Sequence, residues 1–148
     1  MSEPPVLFLD VDGVLNTKAT YESLKRGEAP LCLHCVARLH RIVAETQCRI
    51  VLSSEWRGVP SLERQLSRAG IFHRAHKDRR TPFLPALGRG HEIAQWLSRH
   101  QEVKRFAIVD DQEHVLPNQR PFFVKIAAAT GLTDQNVTWI ARILAAGP

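Results

Sequence analysis

A chain of 148 residues with 44% hydrophobic composition has the size of one domain, residues 1–148, and enough apolar side chains for a single core. It contains no run near the roughly 20 apolar residues of a membrane span, and Glu3, Pro4 and Pro5 predict no signal peptide. A net charge of +5 and a pI of about 9.6 leave polyanions open as ligands, although the basic residues are spread along the chain rather than gathered in a tail.

Val6 to Asp10 reads as a buried strand, an apolar run that delivers two aspartates, Asp10 and Asp12, into a turn at Gly13. Asn16 to Pro30 is expected to be irregular. Leu31 to Gln47 has helical spacing. Its "CLHC", with His34 inside and His40 nearby, raises the question of zinc. Cys32, Cys35, Val36, Leu39, Ile42 and Val43 follow one helix face, however, and no second Cys or His pair completes four ligands, so the cysteines read as small core residues. With Cys48 they make an odd count without disulfide-scaffold spacing, which favours a reducing compartment and predicts a cytoplasmic protein.

Cys48 to Ser54 is a second apolar strand, followed by a helix over Ser61 to Ala69 and an irregular stretch from His73 to Gly88. A helix spans Arg89 to His100, and "RFAIVDD", Arg105 to Asp111, is a third strand. Pro121 to Ile126 reads as a fourth. The last helix, Thr133 to Ala145, begins with a capping threonine and Asp134 in its first turn. Trp56 and Trp96 read as packing residues, Trp96 sharing an apolar helix face with Ile93 and Leu97.

Apolar strands alternating with helices predict a parallel sheet covered on both faces, with ligands at the carboxyl ends of its strands. The polar residues at those ends are Asp10 and Asp12, Ser53 and Ser54, and Asp110 and Asp111. Carboxylates converging on one edge repel unless a divalent cation neutralises them, and an all-oxygen set suits Mg²⁺. An EF-hand is excluded: counting from Asp10, the glycine comes fourth and the twelfth residue is Tyr21. A hard cation with open positions can hold a phosphate for in-line attack, so Asp10 is placed to act as nucleophile and Asp12 to move a proton, with Gly13 bending the backbone to bring N–H groups to the phosphate. Each feature has a plainer reading: serine pairs at strand ends cap turns, Asp-Asp pairs form solvated turns, and Arg89 could begin an exposed helix.

"DVDGVL", "VLSSEWR", the basic residue in "GRGHEIAQWL" and "AIVDD" resemble, in order and in the elements that carry them, the motifs of the haloacid dehalogenase (HAD) superfamily of phosphohydrolases. The resemblance spans about residues 6 to 115, and "TGLTDQNV" is similar to the RNA-repair-associated group known as the Swiss Army Knife HAD domains. It implies a three-layer, Rossmann-like α/β fold and an aspartyl-phosphate mechanism. Asp10 would be the nucleophile and Asp12 the general acid and later base. Ser53, with Ser54 as second candidate, would bind phosphoryl oxygens. Arg89 would take the third motif, where a lysine is commoner. Asp110 and Asp111 would hold Mg²⁺ together with the Asp10 carboxylate and the Asp12 main-chain carbonyl. Arg57 follows the second motif in a "WR" shared with this group, as a ligand for substrate phosphate or as a surface salt bridge.

The intervals between motifs are too short for the cap domain many relatives insert, which implies an open site. Open sites suit large substrates such as RNA or DNA ends, with nucleotides or other small phosphate esters, or phosphate-end binding without turnover, as alternatives. Arg74, Lys77, Arg79 and Arg80 in "HRAHKDRR" would form a basic loop able to track a polynucleotide backbone, unless it is simply solvated. Neither a membrane nor an obligate protein partner is expected.

Overall fold

The four residues Val6–Leu9 have no exposed surface, as a strand must when both sheet faces are covered. They form β1, the centre of a five-stranded sheet in a computed structural model that describes residues 3–26 and 29–146. Arg49–Leu52 is β2, Ala75–Arg80 β3, Phe106–Asp110 β4 and Phe123–Lys125 β5, all parallel in the order β3-β2-β1-β4-β5. The chain winds outward from β1 through β2 to β3, then crosses back to lay β4 against the other side of β1. The β1/β4 boundary is therefore the topological switch point, where open α/β sheets leave a crevice for ligands.

Alternate strand residues feed two separate cores. Leu7, Leu9, Ile50, Leu52, Ala107 and Val109 face Cys35, Leu39 and Ile42 of α2 (Leu33–Thr46) and Val137, Ile140 and Leu144 of α5 (Asp134–Ala146). Val6, Phe8, Val51 and Ile108 face Ile93 and Trp96 of α4 (Arg89–Ser98). This is the expected three-layer α/β arrangement, and the described residues include no cap domain. Cys35 and Cys48 are buried and Cys32 half-buried, all as free thiols. Among the described residues, no helix is long and apolar enough to cross a membrane.

Two stretches expected to be irregular contain regular structure. Within 16–30, α1 (Lys18–Ser23) starts at Thr17, whose hydroxyl accepts the Thr20 N–H while the Thr20 hydroxyl accepts that of Thr17. Gly27 and Glu28 lie outside the described residues. Within 73–88, Ala75–Arg80 of the basic segment is the edge strand β3 rather than a loop, while Arg74 closes a 3-10 turn over Ile71–Arg74. "AHKDRR" has no apolar alternation to betray a strand, because an edge strand needs little burial and charge protects its open side. Its pairing with β2 is irregular, shifting register between Ile50 opposite Ala75 and Leu52 opposite Arg80. The short α3 (Pro60–Arg68) lies between β2 and β3.

Candidate active site

Asp10 follows β1 directly and Asp110 ends β4, so the switch point sets two carboxylates side by side; the Asp10 N–H donates to the Val109 carbonyl at 3.1 Å. Both side chains are buried, and with half-buried Asp111 they bring carboxylate oxygens within 4.8 Å of one another. Burial and the charge of Asp110 push the Asp10 carboxyl up to about 8, although Arg89 pulls the other way. Burial also raises Asp110, against the Gln112 N–H and Arg89.

Arg89, the first residue of α4, is the lone cation touching this group among the described residues. Its Nη1 lies 2.9 Å from Asp10 Oδ1 and 2.8 Å from Asp110 Oδ2, and its Nη2 lies 3.5 Å from the exposed Glu55. One guanidinium against three carboxylates leaves a net negative centre lined by oxygen donors, and this donor set fits a hard divalent cation. Of the residues singled out in the sequence, the structure thus brings Asp10, Asp110, Asp111 and Arg89 together.

Asp12 is two residues further on but belongs to different surroundings. Its side chain is exposed and stands outside the three-carboxylate group. One oxygen accepts hydrogen bonds from Asn16 Nδ2 and from the Tyr21 hydroxyl, both at 3.0 Å, and the other accepts from Trp56 Nε1 at 3.1 Å. Burial and the Asp12 carboxylate push the Tyr21 phenol up to about 12. Trp56 is therefore a packing residue, as expected, that also holds Asp12.

Gly13 has φ +80°, and a Cβ there would stand 2.4 Å from Asp111 Oδ2. Glycine thus permits both the turn and the close approach of the Asp111 carboxylate. Its own N–H is occupied, donating to Asn16 Oδ1 at 3.0 Å, so the bend expected of Gly13 is present but its amide is spent inside the turn. The "TGLTDQNV" segment braces this turn from behind: the Leu132 N–H donates to the Val14 carbonyl at 2.9 Å, and a Cβ on Gly131 would stand 2.6 Å from Cys35 Sγ.

The two serines separate. Ser53 continues β2 beside Asp10, its N–H bonded to the Leu9 carbonyl at 2.8 Å, and its buried Oγ has no hydrogen-bond partner among the described residues. An orphaned buried hydroxyl next to the acidic group fits an oxygen ligand that arrives from solution. Ser54 Oγ instead accepts the Trp56 N–H at 3.1 Å, fixing the turn.

Arg57 makes a salt bridge, but a buried one rather than a surface one. Its Nη2 lies 2.7 Å from Glu92 Oε2, its Nη1 donates to the Ser54 carbonyl at 3.2 Å, and the two side chains are 6% and 3% exposed. Glu92 Oε2 also accepts the Leu84 N–H at 2.7 Å, so this pair clamps the turn after β2 to α4 and to the chain entering it. The four basic residues of 74–80 are not gathered into one lip. Arg74 donates to the Gln47 carbonyl at 2.9 Å, and Lys77 borders a cavity with Glu3, Pro4 and Arg49, at the end of the sheet remote from Asp10. Arg79 and Arg80 reach the other end, where both bond the buried carboxylate of Glu63 at 3.3 and 2.6 Å. Burial works to raise Glu63, but the bonds from Arg80 and from the Gly58 N–H hold it below the usual carboxylate range.

Residues 6–137 match the family model described as the HAD domain in Swiss Army Knife RNA repair proteins. The chain belongs to this family. No curated protein and no solved structure gives a significant match. The matched span takes in the acidic group, Ser53, Arg89 and the brace at Gly131, and membership points to a phosphatase-type function. Sequence reasoning passed over Asn16, Tyr21, Glu55, Glu63 and Glu92. Asn16, four residues after Asp12, carried a weak local signal; the others are joined to the site only by folding.

Proposed function

We propose that this HAD domain is a Mg²⁺-dependent phosphomonoesterase that works through an aspartyl-phosphate and removes a terminal phosphate from a nucleic acid or similar large substrate. The observation that carries the reading is the unlike environment of two carboxylates two residues apart: Asp10 buried against Arg89 and two further aspartates, Asp12 held outside by three neutral donors. Groups with separate surroundings can take separate roles, nucleophile and proton carrier.

In this mechanism an Asp10 oxygen bonds to phosphorus as the bond to the leaving oxygen breaks, and that oxygen takes its proton from Asp12. Asp12, now a carboxylate, then removes a proton from water, which attacks phosphorus and releases inorganic phosphate and free Asp10. The Ser53 hydroxyl donates to a phosphoryl oxygen, and Arg89 offsets charge on Asp10 and Asp110. Mg²⁺, held by carboxylates of Asp10, Asp110 and Asp111 with the Asp12 main-chain carbonyl, would neutralise phosphate charge. The free cysteines fit the reducing cytoplasm expected for the chain.

A large substrate is supported by the uncapped carboxyl edge, flanked by open cavities on either side of the acidic group. The test is phosphate release with and without Mg²⁺ from an aryl phosphate, nucleoside monophosphates, and oligonucleotides of RNA and DNA phosphorylated at the 3′ or 5′ end. Release dependent on Mg²⁺, abolished by Asp10→Asn, is expected. No release from any of them overturns the enzyme reading in favour of binding without turnover.

A further inference from the structure

In-line attack by Asp10 puts the leaving oxygen on the far side of phosphorus, and the acid role proposed for Asp12 requires that oxygen to come within its reach. Whatever that oxygen is attached to must lie in the space Asp12 borders. That space is an open cavity of about 490 Å³ whose lining includes Asp12, Lys18, Tyr21, Ala128 and Ala129. Its walls differ in chemistry. The Tyr21 ring and the two alanines give an apolar surface, and Lys18 supplies a cation whose contact with Glu22, at 3.8 Å with both side chains well exposed, leaves it free to swing.

Tyr21 is unusual for an exposed aromatic. It is 48% exposed, yet its hydroxyl is anchored on Asp12 at 3.0 Å. The ring is thus presented to solvent in a fixed attitude, and a flat partner can stack on it with little further loss of freedom. Other exposed aromatics lack this placement. Phe83 borders a cavity with Glu55 and Glu92 on the Arg89 side, and Trp139 borders one with Pro121 and Lys125 between β5 and α5. Tyr21 alone among these three shares a cavity with the proposed acid.

We infer that this cavity is a nucleoside-binding subsite for the leaving group, in which the base stacks on the Tyr21 ring while the Tyr21 hydroxyl positions Asp12 for proton transfer. The inference rests on the phosphomonoesterase reading and narrows its substrate to a nucleotide end, with Lys18 meeting the next phosphate of a longer chain. It also couples recognition to chemistry, because the ring that holds the base belongs to the residue that holds the acid.

The two roles come apart in two substitutions. Tyr21→Ala removes ring and hydroxyl, Tyr21→Phe only the hydroxyl, and Trp139→Ala is the control for an exposed aromatic elsewhere. Substrates are the adenosine 3′- and 5′-monophosphates, the corresponding ribose phosphates without the base, and an aryl phosphate whose leaving oxygen needs no proton. For the parent, the base should lower KM about tenfold or more relative to ribose phosphate. Tyr21→Ala should erase that difference. Tyr21→Phe, which keeps the ring but frees it from its anchor, should retain most of it while lowering kcat several-fold for the adenosine phosphates and sparing kcat for the aryl phosphate, a split that a merely structural tyrosine does not produce. Trp139→Ala should match the parent.

If Tyr21→Ala keeps the preference for the base, or if Trp139→Ala removes it, the subsite is overturned. Should the parent release no phosphate at all, the phosphatase reading fails separately. Equilibrium binding of adenosine 5′-monophosphate against ribose 5-phosphate, to Asp10→Asn with and without Tyr21→Ala, then decides the subsite alone: a base preference lost with Tyr21 upholds it, and no base preference overturns it.

Discussion

Two regions at the carboxyl edge of the sheet handle charge in opposite ways. At the β1/β4 boundary, three carboxylates face a single arginine. At the β2/β3 boundary, Arg79 and Arg80 both bond the one buried carboxylate of Glu63. The first arrangement is held together at an electrostatic cost, and burial makes the cost greater. The second satisfies its buried charge within the protein. Unbalanced charge marks the place where something must arrive from solution, and balanced charge marks structure, even where the sequence shows a run of arginines.

The largest effect expected from disturbing the first region is that of Asp10→Asn, which should abolish phosphate release because an amide is a poor nucleophile. The same variant should be more stable than the parent without metal. A carboxyl raised in the folded state to about 8 from 3.8 contributes stability that is present below the unfolded pKa and lost as pH rises through the folded one. Metal-free parent protein should therefore lose melting temperature between about pH 4 and 8, a loss that Asp10→Asn flattens and a divalent cation reverses. A flat melting profile for the metal-free parent would remove the charge conflict on which the metal site rests. Asp12→Asn should slow phosphate transfer by about 10² to 10⁴, with poor leaving groups hurt most; equal losses for aryl and alkyl phosphates would take Asp12 out of the acid role.

The balanced regions should answer in stability rather than in KM. Arg57→Met strands the buried Glu92 and should cost about 3–5 kcal/mol, read as a drop in melting temperature, while Arg57→Met with Glu92→Leu recovers most of it. A raised KM for phosphorylated substrates in a variant as stable as the parent would instead make Arg57 a substrate ligand. The smallest effect belongs to Arg80→Ser: the arginine is half exposed, Arg79 still reaches Glu63, and about 1 kcal/mol or less is expected. The salt dependence of oligonucleotide binding should stay the same. A slope of log K against log salt that falls by about 0.7 to 0.9 would show instead that Arg80 contacts the polynucleotide.

The strands that carry the site were legible because each is a short apolar run ending in polar residues, a pattern that only a strand buried on both faces requires. α2, with Cys35, Val36, Leu39 and Ile42 buried, and α5 showed their inward faces by helical spacing. β3 was hidden for the opposite reason. Its residues alternate nothing, and backbone pairing with β2 alone makes it a strand. The α1 turn was missed because its six residues bury no side chain, so no periodicity exists to read.

By itself the sequence determined the layers, the strand ends that bear Asp10, Ser53 and Asp110, and the oxygen-rich, acidic character of the site, since these follow from local patterns a few residues long. Tertiary structure decided which polar side chains are left unpartnered. Ser53 and Ser54 are indistinguishable neighbours in the chain, yet one hydroxyl is orphaned beside Asp10 and the other is consumed by the Trp56 N–H. Arg57, Arg79 and Arg80 look as available as Arg89 until Glu92 and Glu63 arrive from distant helices to bind them. The partners are 35, 16 and 17 residues away, and pairing at that separation depends on how helices pack against the sheet, which no local pattern of residues encodes.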